Sequence, residues 1–138
     1  MEKDHYQLTN AEFEQRFEAA TLDPSLFSHE AHLRLAWIHV TQYGVEQAEE
    51  NICTQILNFV KHLGAEDKFN KTLTIAAVKA VHHFIQKSKA NNFSSFIQEF
   101  PRLKTNFKDL LDFHYGFDIF HSERAKKEYL EPDLLPFE

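Results

Sequence analysis

Apolar residues recur along this chain at helical rather than strand spacing, with polar residues falling between them as buried helix faces require. The first signal is Thr9-Asn10-Ala11-Glu12, which has the form of a capping box, followed by Phe13, Phe17 and Ala20 on one face. Asp23-Pro24-Ser25 ends that segment. Ser28 is placed to cap a second helix from about His29 to Tyr43, with Gly44 as its stop. Leu33, Ala36, Trp37, Val40 and Tyr43 share one face of it, and Leu35 and Ile38 carry the apolar surface round the side. Burial on nearly all sides marks a central helix.

A third helix follows from about Val45 to Leu63, closed by Gly64, with Ala48, Ile52, Ile56, Phe59, Val60 and Leu63 inward. The fourth runs from about Thr72 to Lys87 on a face of Leu73, Ala77, Val81 and Phe84, with Val78 and Ile85 alongside. Asn92 caps a short fifth helix bearing Phe93, Phe96, Ile97 and Phe100, and Pro101 stops it. Phe107, Leu110, Leu111 and His114 suggest another short helix, and Ser122 to Tyr129 the last. The tail Glu131-Pro132-Asp133-Leu134-Leu135-Pro136 is expected to be extended, because each proline disfavours helix before it. No segment alternates with period two. The pattern predicts an all-α fold, a single-domain bundle of four main helices plus short C-terminal helices, over residues 1–138.

Composition sharpens this picture. Three glycines and four prolines leave few sharp turns for hairpins, and 14 phenylalanines supply a core of large side chains. A net charge of −6 gives no basic footprint for nucleic acid and no polybasic segment for an anionic membrane. No stretch approaches the roughly 18 apolar residues of a spanning helix, and Met1 to Gln7 lacks the apolar core of a signal peptide. The lone Cys53 cannot form an internal disulfide, which suits a reducing cytoplasm; it reads as a small apolar filler.

Chemistry concentrates at Phe27-Ser28-His29-Glu30-Ala31-His32-Leu33-Arg34-Leu35-Ala36-Trp37. On a helical wheel His29 falls near the middle of the apolar stripe, where Leu or Ile would pack at no polar cost. His29 and His32 stand one turn apart on one face, a geometry able to chelate a divalent metal ion. A catalytic zinc needs a third ligand and an open position. Glu30, His83, His114 and His121 are the candidates, although Glu30 points about 100° away from His29. The plainer alternative has His29 cap or bridge helices through a hydrogen bond and His32 sit half-exposed.

Lys68-Phe69-Asn70-Lys71-Thr72-Leu73-Thr74 puts lysines and two hydroxyls at a helix start, where free N–H groups hold anions. The competing reading is a simple Asn70 or Thr72 cap with solvated lysines. Thr74 lies beside Val78 and Val81, so its hydroxyl either bonds back to a carbonyl or reaches into a pocket. His82 and His83 diverge around their helix and cannot both serve one site. Asp112 to His121 mixes aromatics, histidines and acids, as a lid over a pocket or as an aromatic plug closing one end of the bundle. The motifs of serine hydrolases, nucleotide hydrolases, dinucleotide enzymes and zinc ribbons are all missing.

The run Phe27-x-His29-x-x-His32-Leu33-Arg34-x-Ala36-Trp37 resembles the signature of a group of small bacterial all-helical proteins with no assigned activity. Lys68-Phe69-Asn70-Lys71-Thr72-Leu73-Thr74 matches a second block of that group, and Tyr115 with Ser122-Glu123-Arg124-Ala125 a third. The likeness covers residues 27–130, and its first block is the specific part. It implies that His29, His32, Thr72 and Thr74 belong together. Many members of the group carry His where this chain has Asn70, so the likeness implies a metal less strongly here.

These readings converge on a pocket for a small polar ligand, lined by His29, His32, Thr72 and Thr74. Lys68 would offset negative charge, Trp37 would form the floor, and His114 or Tyr115 would close it. The rival is a non-catalytic interaction module or homo-oligomer that packs through its Phe-rich C-terminal third. A divalent metal at His29 and His32 is the third.

Overall fold

A computed structural model describes residues 4–137 of the chain. Eight α-helices and three single-turn 3-10 segments make up its regular structure, and no strand occurs among the described residues. The all-α expectation holds. The chain divides into two compact units, Met1–Phe69 and Asn70–Glu138.

The first unit contains α1 (Asn10–Glu18), α2 (His29–Tyr43) and α3 (Val45–His62). The capping box forms as read: Glu12 N donates to the Thr9 hydroxyl at 3.1 Å, and Thr9 N donates to the Glu12 carboxylate at 2.9 Å. The Ser28 hydroxyl accepts from Ala31 N at the start of α2. Gly44 joins α2 directly to α3 at φ 86°, a left-handed backbone that a side chain would strain. So short a connection folds α2 and α3 back on each other, and α1 packs against both.

Phe13 and Phe17 of α1 are fully buried, as are Ala31, Leu35 and Ala36 of α2 and Ala48 and Ile52 of α3. Each buried Phe contributes about 2–3 kcal/mol through the apolar surface it removes from water. Phe17, Phe27 and Phe59 close a ring cluster with centroid separations of 4.8, 4.9 and 5.5 Å. Every residue of α2 from Leu33 to Val40 is buried, so this helix is central as expected.

The second unit contains α4 (Lys71–Ile85), α5 (Phe93–Glu99), α6 (Arg102–Thr105), α7 (Phe107–Asp112) and α8 (Glu123–Lys127). Asn70 caps α4 by accepting from Leu73 N, and its amide donates to Ile119 O at 2.8 Å. Helices α4 and α8 pack together. Ala76, Leu111, Tyr115, Ile119 and Ala125 form a core against which Leu73, Phe107, Leu130 and Phe137 rest. Phe84, Phe96 and Phe100 make a separate aromatic cluster at 4.9 and 5.6 Å.

Several boundaries differ from the sequence pattern, among them α4, which ends at Ile85 rather than Lys87. Pro101 also opens a helix, α6, because a fixed φ suits a helix start as well as it ends the helix before. Helix α7 stops at Asp112, short of His114. Helix α8 ends at Lys127, and Glu128 turns extended where its carbonyl meets Thr72. Among the described residues no helix is long and apolar enough to cross a membrane.

Candidate functional site

The cap on α2 decides where the two histidines go. Ser28 sits at the helix boundary, so His29 is the first helical residue and is exposed, not in the middle of a buried stripe. The helical wheel misplaced it because α2 is buried by its position along the axis, on all sides at once from Leu33 onward. Angle carries little information in such a helix. His32, one turn further in, is half-buried, as the plainer alternative had it, with its Nε2 turned away from solvent.

His32 Nε2 is shielded from solvent and has no hydrogen-bond partner, and the ring stacks on Phe27 at 5.4 Å. Burial, with a smaller push from His29, drives its pKa down to about 4. The imidazole is therefore neutral at physiological pH, and the positive end of α2 works in the same direction.

On another side of α2 lies a polar network that sequence reasoning missed. Arg34 is 5% exposed and donates to Leu8 O at 2.8 Å, to His5 O at 2.6 Å and to Asn10 Oδ1 at 2.9 and 3.1 Å. Its Nη1 also lies 3.2 Å from His5 Nδ1. A guanidinium only donates, so Nδ1 of His5 is the acceptor and Nε2 carries the proton, which it gives to Glu30 Oε1 at 3.1 Å. Burial holds His5 below its ordinary pKa against the opposing pull of Glu30. Glu30, offered as a metal ligand, is thus engaged with His5, and Tyr6 OH donates to its other oxygen. Tyr6 is pushed up to about 12 by burial and by that carboxylate. One signal was available: Arg34 stands alone among apolar neighbours in a helix buried all round.

His29, His32, Trp37 and Lys68 belong to the first unit, and Thr72, Thr74, His114 and Tyr115 to the second. Trp37 is buried, but five residues turn it about 140° round α2 from His32, so the two do not share a face. Lys68 is exposed on a 3-10 turn. The Thr74 hydroxyl bonds back to Asn70 O at 2.8 Å, the first of its two expected fates. The Thr72 hydroxyl donates to Glu128 O at 2.7 Å and accepts from Leu130 N at 3.0 Å.

Tyr115 and His114 serve the same tail. Tyr115 OH donates to Leu130 O at 2.9 Å, and burial raises its pKa far above the usual phenol range. His114 Nδ1 meets Leu135 O at 2.8 Å while its ring stacks on Phe137 at 4.0 Å. Four residues singled out in the sequence therefore fasten backbone within their own unit, three of them to residues 128–135. Tyr115 also walls an open cleft of ≈ 420 Å³ with Leu111, Phe117, Phe120 and His121. At its rim Lys108 pairs with Asp112, and His121 Nδ1 lies in hydrogen-bond contact with Asp118 Oδ2 at 2.8 Å. Phe113, Phe117, Leu134 and Leu135 are each more than two-fifths exposed.

Among the described residues no three His, Cys, Asp or Glu side chains are grouped to hold a metal ion. Four buried side-chain polar atoms there lack a hydrogen-bond partner: His32 Nε2, His39 Nε2, Gln55 Oε1 and His82 Nδ1. A native fold carries few such atoms, and each costs about 1–3 kcal/mol unless something satisfies it. Comparison with protein-family models, with curated proteins and with solved structures finds no match.

Proposed function

We propose that this protein binds a small polar ligand at the start of α2, with His32 as the group that recognises it. The observation that carries the reading is a neutral, buried imidazole nitrogen with no partner, held in plane by Phe27. An imidazole of this kind presents a donor or an acceptor as its tautomer requires, without the cost of a buried charge. His29, exposed one turn earlier, stands where a ligand enters. The resemblance of the first sequence block supports the same two histidines. Thr72, Thr74, His114 and Tyr115 are assigned to shaping the second unit, because their polar atoms are committed to backbone. A cytoplasmic setting fits the lone Cys53. No reaction is assigned.

The test is a thermal-shift titration of wild type and His32→Phe with acetamide, glycerol, imidazole, acetate and phosphate. At least one probe raises the wild-type melting temperature through preferential binding to the folded state, and His32→Phe abolishes the response. Identical responses in the two proteins, or none in wild type, refute the assignment.

A second reading has its own observation. The exposed Phe113, Phe117, Leu134 and Leu135 are drawn towards one another by Leu134 N donating to His114 O and by Gly116 N donating to Asp133. In this reading a second copy of the chain packs there. Sedimentation of wild type against Phe113→Ser/Leu135→Ser decides it: a concentration-dependent dimer lost in the variant supports the reading, and a monomer throughout refutes it.

A further inference from the structure

Three of the four unpartnered buried atoms lie on the paired helices α2 and α3. His32 and His39 are seven residues apart, two helical turns, so they stand in one row about 10 Å apart along the axis. On α3 the matching row is Asn51, Gln55 and Phe59, one turn between each. Its two ends are tied to the α2 row by contact. The Asn51 amide lies 3.3 Å from His39 Nδ1, and Phe59 packs at 5.5 Å on Phe27, whose ring stacks on His32. Gln55 therefore sits between the levels of the two imidazoles.

The donors and acceptors along this row follow from their neighbours. Gln47 Nε2 donates to Asn51 Oδ1 at 2.8 Å, so the Asn51 amide nitrogen is the end turned to His39 and donates to Nδ1. His39 then carries its proton on Nε2, a buried donor, while Gln55 Oε1 is a buried acceptor one turn away. A helical turn rises about 5.4 Å, close to twice a hydrogen-bond length of about 2.8 Å. By that rise, one oxygen that both donates and accepts would serve the step from His39 to Gln55, and a second the step from Gln55 to His32.

We propose that the seam between α2 and α3 extends the His32 site and binds uncharged hydroxyl oxygens, from water or an alcohol, bridging His39 to Gln55 to His32. The proposal rests on the reading of His32 as a recognition group and names the chemistry it recognises. An anion is disfavoured, because the row offers no cation and His39 is faced by Glu14 and Glu18 of α1. A cation is disfavoured, because it would lie between two neutral imidazoles with only an amide oxygen to receive it. His39 and Gln55 are positioning residues in this arrangement, fixing which nitrogen of His32 carries the proton.

The experiment uses the full chain with no probe added. Long-range nitrogen–proton correlation spectra assign the tautomers of His32 and His39, and Overhauser transfer between imidazole protons and water or alcohol resonances reports the bridging oxygens. The expected result is His39 protonated on Nε2 with such transfer. In Gln55→Met the transfer is lost and the folding equilibrium constant falls about tenfold, the loss of one satisfied buried hydrogen bond. Imidazoles without transfer overturn the proposal, as does a Gln55→Met protein at least as stable as wild type. Should that variant not fold, the wild-type transfer decides alone. Native mass spectrometry before and after unfolding and refolding separates the sources: an added mass lost on refolding is an alcohol, and an unchanged mass is water. If the transfer and the Gln55→Met loss are present while none of the five probes shifts the melting temperature, the seam stands as a hydration site. Only the ligand reading then falls.

Discussion

Acid should unfold this protein through α2, and His32 sets the size of the effect. In the unfolded chain a histidine titrates near 6.5, whereas burial holds His32 at about 4 in the folded state. Between those values the unfolded chain binds a proton that the native state refuses. Stability contributed by the neutral imidazole is thus complete above pH 6.5 and lost as the pH falls towards 4. At about 1.36 kcal/mol per pH unit, the full loss comes to about 3–3.5 kcal/mol. His5 and His39 are also held low by burial and add losses of the same sign. Against a total of about 5–15 kcal/mol for a domain, His32 alone is a large share.

The perturbation that isolates this contribution is His32→Phe, which keeps an aromatic ring on Phe27 and removes the titrating nitrogen. Urea unfolding followed by circular dichroism, at about pH 7 and about pH 4.5, gives the change in stability for each protein. The variant is expected to lose about 2–3 kcal/mol less than wild type between the two. Equal losses would show that His32 is protonated in the folded state as readily as in the unfolded one, and would end the argument for a buried neutral imidazole.

Arg34→Met removes the donor to His5 O, Leu8 O and Asn10 Oδ1, and should cost about 3–5 kcal/mol, with amides of residues 5–8 exchanging faster in hydrogen-exchange mass spectrometry. Thr72→Val keeps the shape but strips the hydroxyl from Glu128 O and Leu130 N; about 1–2 kcal/mol is lost and the Leu130 amide exchanges sooner. Gly116→Ala would set a Cβ 3.0 Å from Asp133 Oδ2, and a loss of about 1 kcal/mol with a shifted Gly116 amide resonance is expected.

The helices were legible because their signals are local. Thr9 with Glu12, Ser28, Gly44, Asn70 and Asn92 act on neighbours three or four residues away, and each caps or ends the helix expected of it. What escaped was set by distant groups. Nothing near Glu128 in sequence says that its carbonyl belongs to Thr72, so α8 read two residues too long. Thr72 and Thr74 drew attention as hydroxyls at a helix start and Tyr115 as part of an aromatic segment, patterns that a ligand site and a backbone clasp share. His5 drew no attention in the sequence, because its partners, Glu30 and Arg34, lie far along the chain.

The two units treat buried polarity differently, and that difference bears on the ligand site proposed at α2. In the second unit Asn70, Thr72, Thr74 and Tyr115 each end on a backbone carbonyl, which fixes a fold and leaves those hydroxyls and amides nothing further to recognise. Among the described residues of that unit the one buried side-chain atom without a partner is Nδ1 of His82, whose Nε2 faces Gln86 on a half-buried stretch of α4. The first unit instead threads Arg34, His39 and His32 through one central helix and satisfies only the first of them completely within the chain. A helix needed for packing alone would carry Leu or Phe at His32 and His39, gaining apolar burial and losing two costs of about 1–3 kcal/mol. Packing alone therefore leaves His32 Nε2 and His39 Nε2 unexplained, and the binding proposed at the α2–α3 seam would account for both.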